Sequence, residues 1–121
     1  MKNIILTSGF IILCFSSFSQ NVVRENNGRV TIRNTNDSIL TQIDSVGSGA
    51  IAASFNDNKT EIVVTYNNGN VLVKKTDGTI IVQIAEMNTD NAIAAIWSDE
   101  NIIITTQSNQ TLIKSALEWR P

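Results

Sequence analysis

The sequence has 121 residues, of which 42% are hydrophobic, 17% charged and 6% aromatic, and its formal net charge is −2. This length suits one domain, and the composition excludes a disordered or collagen-like chain. The chain has no His and a single Cys, Cys14, which excludes a Cys/His zinc site, a Ser–His–Asp triad, a Cys–His dyad and His-ligated haem.

The first feature in the chain is an N-terminal segment with the three parts of a secretory signal. Lys2 gives a positive start, residues 4–15 are largely apolar, and Ser17 and Ser19 are small residues at the −3 and −1 positions of a cleavage site. The apolar part is about twelve residues long, whereas a membrane-spanning helix needs about twenty, so we expect no stable membrane anchor. We predict a signal peptide over residues 1–19 and a secreted or periplasmic bacterial protein.

Two other interpretations of this segment remain open. An Ile-rich stretch can also form a buried N-terminal strand or helix. Cys14 could be the acylated residue of a lipoprotein, although Leu13 stands where that processing signal requires a small residue. Cleavage after Ser19 would remove Cys14 and leave a chain that cannot form a disulfide.

The rest of the chain repeats with a period of about 41 residues. Residues 22–44, placed on residues 63–85, are identical at ten of 23 positions, and residues 50–57 match residues 92–99 with a similar shift. Such a period is typical of repeat architectures. We predict one β-repeat domain over residues 20–121, with units at approximately 21–44, 50–85 and 91–115.

Each unit has the pattern of short antiparallel strands. Runs rich in Ile, Val and Thr alternate with turn sequences such as Asn67-Asn68-Gly69 and Asp77-Gly78, which accept the positive φ of tight hairpins. The only Pro is Pro121, so no strand is interrupted. The repeat predicts ten strands, at residues 21–25, 29–34, 38–44, 50–55, 61–66, 71–75, 80–85, 91–97, 101–106 and 110–115.

Four short strands in a unit of about 40 residues resemble a blade of a β-propeller of the WD40-like type. The resemblance is carried by residues 50–85 and covers nearly all of residues 20–121. Two WD40 signatures are absent: residues 86–91 contain no Gly-His pair, and Lys74-Lys75 replaces the Trp-Asp pair. The resemblance implies an all-β fold of antiparallel four-stranded blades, present as about 2.5 blades.

Known propellers have about four to eight blades, so 2.5 blades leave two faces without a neighbour. No polar cap is evident in either terminal unit. Three arrangements answer this: a fragment of a larger propeller, a homo-oligomer that completes a propeller, or closure of the ten strands as an up-and-down β-barrel or two-sheet meander.

The candidate polar sites are weak. Most carboxylates fall in predicted turns, and Asp57 and Asp99 occupy matching repeat positions, which indicates a structural role in each unit. Residues 34–37 and 56–61 have oxygen ligands at alternate positions, as calcium loops do. The Gly and the closing bidentate Glu of an EF-hand loop are missing from both. We therefore predict no catalytic residue, no metal site and no cofactor.

The aromatic residues give one candidate contact. Phe55 and Trp97 are equivalent in the repeat, which favours core packing for both, whereas Trp119 lies outside the repeat. Exposed aromatic residues often anchor partners or stack on sugars. Trp119 is therefore the predicted contact for a protein or glycan partner.

The predicted function is that of an exported, non-enzymatic repeat protein with a binding role, or a fragment of a larger propeller. The alternative is a propeller-type hydrolase, lactonase-like or glycosidase-like, that is active only as an oligomer or a full-length protein. The cationic residues are scattered along a mildly acidic chain, so we expect no nucleic-acid partner.

Overall fold

The computed structural model describes residues 20–86 and 90–120, so the predicted signal peptide lies outside the described residues. All ten predicted strands are present, and their ends lie within one residue of the prediction. The strands are β1 (Gln20–Arg24), β2 (Val30–Asn34), β3 (Ile39–Asp44), β4 (Ala50–Phe55), β5 (Glu61–Tyr66), β6 (Val71–Lys75), β7 (Ile80–Ala85), β8 (Ala92–Ser98), β9 (Asn101–Thr106) and β10 (Thr111–Ser115).

The strands form three separate antiparallel sheets. The first sheet has the order β1-β2-β3, the second sheet β4-β5-β6-β7, and the third sheet β8-β9-β10. The predicted fold class of partial propeller-type blades is confirmed, and the alternatives of a single barrel or a two-sheet meander are wrong. The physical reason is that the backbone pairing of strand with strand stops at each connection between units. Neighbouring units therefore stack mainly through side chains instead of pairing at their edges.

The repeat extends to the irregularities of the strands. A register shift lies between Ala50 and Ala52 in β4, and its counterpart lies between Ala92 and Ala94 in β8. Shifts at matching positions also occur between β2 and β3 and between β6 and β7. Because bulges bend and twist a sheet, equivalent bulges give the units the same shape and let them stack in the same way.

The core consists of two layers, one between each pair of neighbouring sheets. The first layer joins the first and second sheets through Val30, Ile32, Ile43, Ala50, Ile62, Val64 and Tyr66. The second layer joins the second and third sheets through Val63, Val71, Val73, Ala92, Ala95, Trp97, Ile102, Ile104 and Ala116. Alternate residues of β5 therefore face opposite layers, as a strand buried on both faces requires.

The connections between sheets are tied to the hairpin turns. The Asn67 N–H donates to the Gly49 carbonyl at 2.8 Å, and the Gln107 N–H donates to the Asn91 carbonyl at 2.9 Å, at the equivalent position of the next unit. Gly69 has φ +93°, and a Cβ there would lie 2.5 Å from Asn91 Oδ1. Glycine is required at this turn both by its backbone conformation and by the close approach of the next connection.

A short 3-10 helix (Ala116–Glu118) follows β10 and was not predicted from the sequence. Ser115 precedes it, and its side chain accepts a hydrogen bond from the Leu117 N–H. Within the described part of the chain, no helix has the length and hydropathy needed to cross a membrane.

Candidate functional site

Trp119, the predicted partner contact, lies against the core between the second and third sheets. It is partly buried, and its ring packs edge-on against Trp97 with centroids 6.4 Å apart and planes at 66°. The ring N–H groups of both tryptophans are buried, with no acceptor among the described residues. The predicted core roles of Trp97 and Phe55 are confirmed by their packing against the two layers. A binding role for Trp119 stays a prediction.

The residues around Trp119 form a clasp between two sheets. The Ala116 N–H donates to the Glu100 carbonyl at 2.8 Å, and Ala116 is fully buried. Arg120 pairs with Glu61 of the second sheet at 3.0 Å and with Glu100 beside the third sheet. Its guanidinium carbon also lies 5.8 Å from the centre of the Trp97 ring. This C-terminal clasp, residues 116–120, therefore joins the second and third sheets.

A buried polar group joins the first and second sheets. Lys74 Nζ lies 2.5 Å from Asp44 Oδ1, and the Tyr66 hydroxyl donates to Asp44 Oδ2 at 2.7 Å. The side chains of Lys74 and Asp44 are only 8% and 9% exposed. Burial, followed by the hydrogen bond to Asp44 and its negative charge, raises the pKa of Tyr66 well above its usual value. The phenol therefore stays protonated and serves as a donor.

This Asp44–Tyr66–Lys74 group occurs once in the three units. Its counterparts are Glu25 and Arg33 in the first sheet, and Thr106 and Lys114 in the third. The group lies in the layer between sheets rather than in a cleft, so its arrangement fits a structural link. Sequence reasoning missed it because Asp44 and Lys74 belong to different units and have no shared motif.

One polar cleft lies at the turns that follow the first strands of the second and third sheets. It has a volume of about 290 Å³ and is lined by Asn56, Asp57, Asn58, Asp99 and Glu100. The repeat-equivalent Asp57 and Asp99 are thus brought to one place, while Asn56 Oδ1 holds its own turn by accepting from the Thr60 and Glu61 N–H groups. No group of three or more metal-ligating side chains was found in the part of the chain that the structure describes.

Two other aspartates accept hydrogen bonds from hairpin turns, and the turn role predicted from the sequence is confirmed for Asp77. Asp77 accepts from the Thr79 N–H at 2.9 Å, and this backbone hydrogen bond is the main reason that the pKa of Asp77 is lowered. Asp90 accepts from the hydroxyls of Ser108 and Thr106 and from the Ser108 N–H, which lowers its pKa in the same way. The Asp77 carboxylate is therefore held within its own turn. The Asp90 carboxylate instead joins the connection between the second and third sheets to the hairpin turn that contains Ser108.

A second cleft, which we call the amide cleft, lies between the first and second sheets on the side of their hairpin turns. Its volume is about 300 Å³. The Gly47 N–H donates to the Asn27 carbonyl at 2.7 Å, and Ser48 Oγ donates to the Gly28 carbonyl at 2.5 Å, so the walls are bonded to each other. The lining residues are Arg24, Asn26, Asn27, Gly28, Gly47, Gly49, Ala50, Ile51 and Asn67.

The two outer faces of the stack have different chemistry. On the third sheet, the register places Ile96, Ile103 and Ile113 side by side across its three strands. On the first sheet, Arg33 pairs with Glu25 at 3.2 Å, and Arg29 pairs with the same carboxylate at 3.6 Å. The outer face of the first sheet therefore carries charged side chains that pair within one unit. The expectation that neither terminal unit has a polar outer face is wrong for this sheet.

Comparison with known proteins gives a fold and no family. No family model matches the sequence, and no curated protein matches it. The structure is similar to the β-propeller domain of Cps50 (Swd1) from Myceliophteria thermophila, with a TM-score of 0.63 and 10% identity over 83% of this chain. It is also similar to BamB from Moraxella catarrhalis, with a TM-score of 0.63 and 15% identity over 80% of this chain.

This chain covers 33% of the Cps50 domain structure and 30% of the BamB structure. It therefore spans about a third of the length of these propellers. The three sheets are propeller-type blades, and within the described residues the second sheet has four strands and each of the others has three.

Proposed function

We propose that this propeller-type chain is an exported, non-enzymatic binding protein whose ligand is a glycan. The amide cleft is the observation that carries the proposal. Asn side chains both donate and accept hydrogen bonds, and a guanidinium offers five donors, so these groups match the hydroxyls of a sugar. The residues around the cleft bind by hydrogen bonds and include no group suited to general acid–base work.

The construction of the amide cleft supports a preformed site. Backbone and hydroxyl hydrogen bonds join Asn27 to Gly47 and Gly28 to Ser48. Arg24 is held by its own neighbours, since its NH1 group donates to the Asn26 side chain at 3.3 Å. A cleft whose walls are fixed before binding loses less entropy when it takes a ligand.

Binding is tested on an array of neutral and uronic-acid oligosaccharides, followed by titration calorimetry with the sugars retained. Arg24→Ala and Asn26→Ala should each weaken binding about tenfold, the loss of one or two good hydrogen bonds. Asn58→Ala, an amide in the other cleft, is the matched control and should bind like the original chain. Hydrolysis of a retained sugar would contradict the non-enzymatic proposal and support the hydrolase alternative.

Export is tested separately. Expression of the full chain in a bacterium, followed by fractionation and mass measurement, should recover a protein that begins at Gln20 outside the cytoplasm. Lys2 and the apolar stretch of residues 4–15 support this expectation. A cytoplasmic protein that retains Met1 would overturn it without affecting the glycan test.

A further inference from the structure

The outer face of the third sheet carries a row of isoleucines that has a buried counterpart in the second sheet. Ile103 pairs with Ile96 on one side and with Ile113 on the other. The repeat-equivalent row in the second sheet is Ser54, Val63 and Val73. Because the units stack in the same way, these two rows occupy the same face of their sheets.

The burial of the two rows differs sharply. Val63 and Val73 are 0% exposed, because the third sheet covers them. Ile96 and Ile113, in contrast, are 53% and 65% exposed. On the second sheet this face is covered by the third sheet. On the third sheet the equivalent face is covered by nothing among the described residues.

The uncovered row is also the more apolar of the two. Isoleucine replaces valine at two of the three positions, and at the third Ile96 stands where the second sheet has Ser54. A face that met only water would favour the opposite exchange, since each exposed large side chain adds apolar surface to an open patch. The exchange instead fits a face that is covered by another apolar surface.

Between copies of this chain, the chemistry of the first sheet decides which of the two outer faces can cover this row. Head-to-tail stacking of copies would place the isoleucines on the outer face of the first sheet, where Arg33, Arg29 and Glu25 form ion pairs. Burying those charges under isoleucine side chains would remove them from water without any new partner, which is costly. The third sheet of another copy offers an apolar row that matches.

We propose that two copies of this chain associate through the outer faces of their third sheets, about a two-fold axis. Such a contact is isologous, so it closes as a dimer and leaves the first sheets at the far ends. It differs from a ring in which copies complete one propeller. The proposal goes beyond glycan binding, because the amide cleft lies between the first and second sheets and stays open in the dimer.

The area of the outer face of the third sheet sets the expected affinity of the dimer. Three strands about 4.8 Å apart, with about six residues rising 3.3 Å each, give a face of about 15 Å by 20 Å. That is smaller than a standard interface of about 800 Å² per partner, so the dimer should be weak and depend on concentration in the micromolar range or above.

The first measurement is the mass of the full chain by light scattering and sedimentation, over a range of concentrations from micromolar to millimolar. We expect the mass to rise from monomer to dimer and not beyond. Ile113→Lys should weaken dimerisation at least tenfold. Ile80→Lys is the matched control, since Ile80 is 57% exposed but lies on the second sheet, and it should leave the dimer intact.

A second measurement tests the symmetry of the contact. In a chain carrying Cys14→Ser, which has no other thiol, Ile113→Cys should be joined to itself by a short bismaleimide, whereas Ile80→Cys should not. Circular dichroism shows whether each variant is folded. A monomer at every concentration, a dimer that survives Ile113→Lys, a trimer or larger ring, or no crosslink at residue 113 would each overturn the proposal.

Discussion

Lys74 of the second sheet and Asp44 of the first form an ion pair of 2.5 Å across the layer that joins the two sheets. Nothing in the repeat pairs these two residues, since the counterpart of Asp44 in the second unit is Ala85. The pair therefore belongs to one boundary only. In the absence of the WD40 signatures, it supplies a polar link between blades.

Removal of one residue of the Asp44–Lys74 pair should lower the stability of the fold. Lys74→Met leaves the Asp44 carboxylate buried without its cation, and we expect it to lower the free energy of unfolding by about 3 kcal/mol. Urea denaturation measures the change. The control is Lys75→Met, because Lys75 is the exposed neighbour on the same strand. Equal stability of the two variants would show that the pair contributes nothing.

Tyr66 gives a prediction about alkaline pH. Its pKa is raised in the folded chain, so the folded state keeps its proton more tightly than the unfolded state. The contribution of Tyr66 to stability should be complete below about pH 10, the usual pKa of tyrosine, and should decline as the pH rises above it. Because Tyr66 is the only tyrosine, ultraviolet absorbance reports it directly, and phenolate should appear only together with unfolding.

Tyr66→Phe is the matched variant for that measurement. It removes the hydroxyl that donates to Asp44 and should cost about 1–2 kcal/mol at neutral pH. Its stability should fall less steeply than that of the original chain above about pH 10. A phenolate signal from the folded protein near pH 10 would contradict the buried hydrogen bond.

Gly69 and Gly47 have similar backbone conformations but different surroundings, so alanine variants of the two can be compared. Both have φ near +90°, but a Cβ at residue 69 would meet Asn91, whereas a Cβ at residue 47 would have no atom within 4 Å. Both alanine variants carry the backbone strain, so Gly69→Ala should be less stable than Gly47→Ala by about 1 kcal/mol or more. Thermal unfolding measures the difference, and Asn91→Ala should restore part of it in the Gly69→Ala chain.

The C-terminal clasp should contribute to stability whether or not it also binds a partner. Trp119→Ala removes a partly buried ring from the core layer, and we expect a loss of about 2 kcal/mol, below that of a fully buried aromatic. Leu117→Ala is the control, because Leu117 is 73% exposed. If Trp119→Ala changed stability no more than Leu117→Ala, the edge-on contact with Trp97 would be energetically irrelevant.

The positions of the strands could be predicted because they depend on residues that are close together in the sequence. Runs of β-branched residues and Asn-Gly or Asp-Gly turns specify where strands begin and end, and the same pattern recurs in each unit. The 3-10 helix (Ala116–Glu118) escaped prediction, since it is held by Ser115 and by the distant Glu100 carbonyl rather than by helical periodicity. Trp119 was expected at the surface, but it packs edge-on against Trp97 and is partly buried at the core.

The sequence by itself determined the repeat, the ten strands and the chemistry that a chain without His excludes. The signal peptide stays a prediction from the sequence. Only the tertiary structure decided which faces meet: the link between Asp44 and Lys74, the amide cleft between two sheets, and the contrast between the charged first sheet and the apolar third. The physical reason is that strand formation follows from neighbouring residues, whereas burial and ion pairing depend on residues brought together from different units.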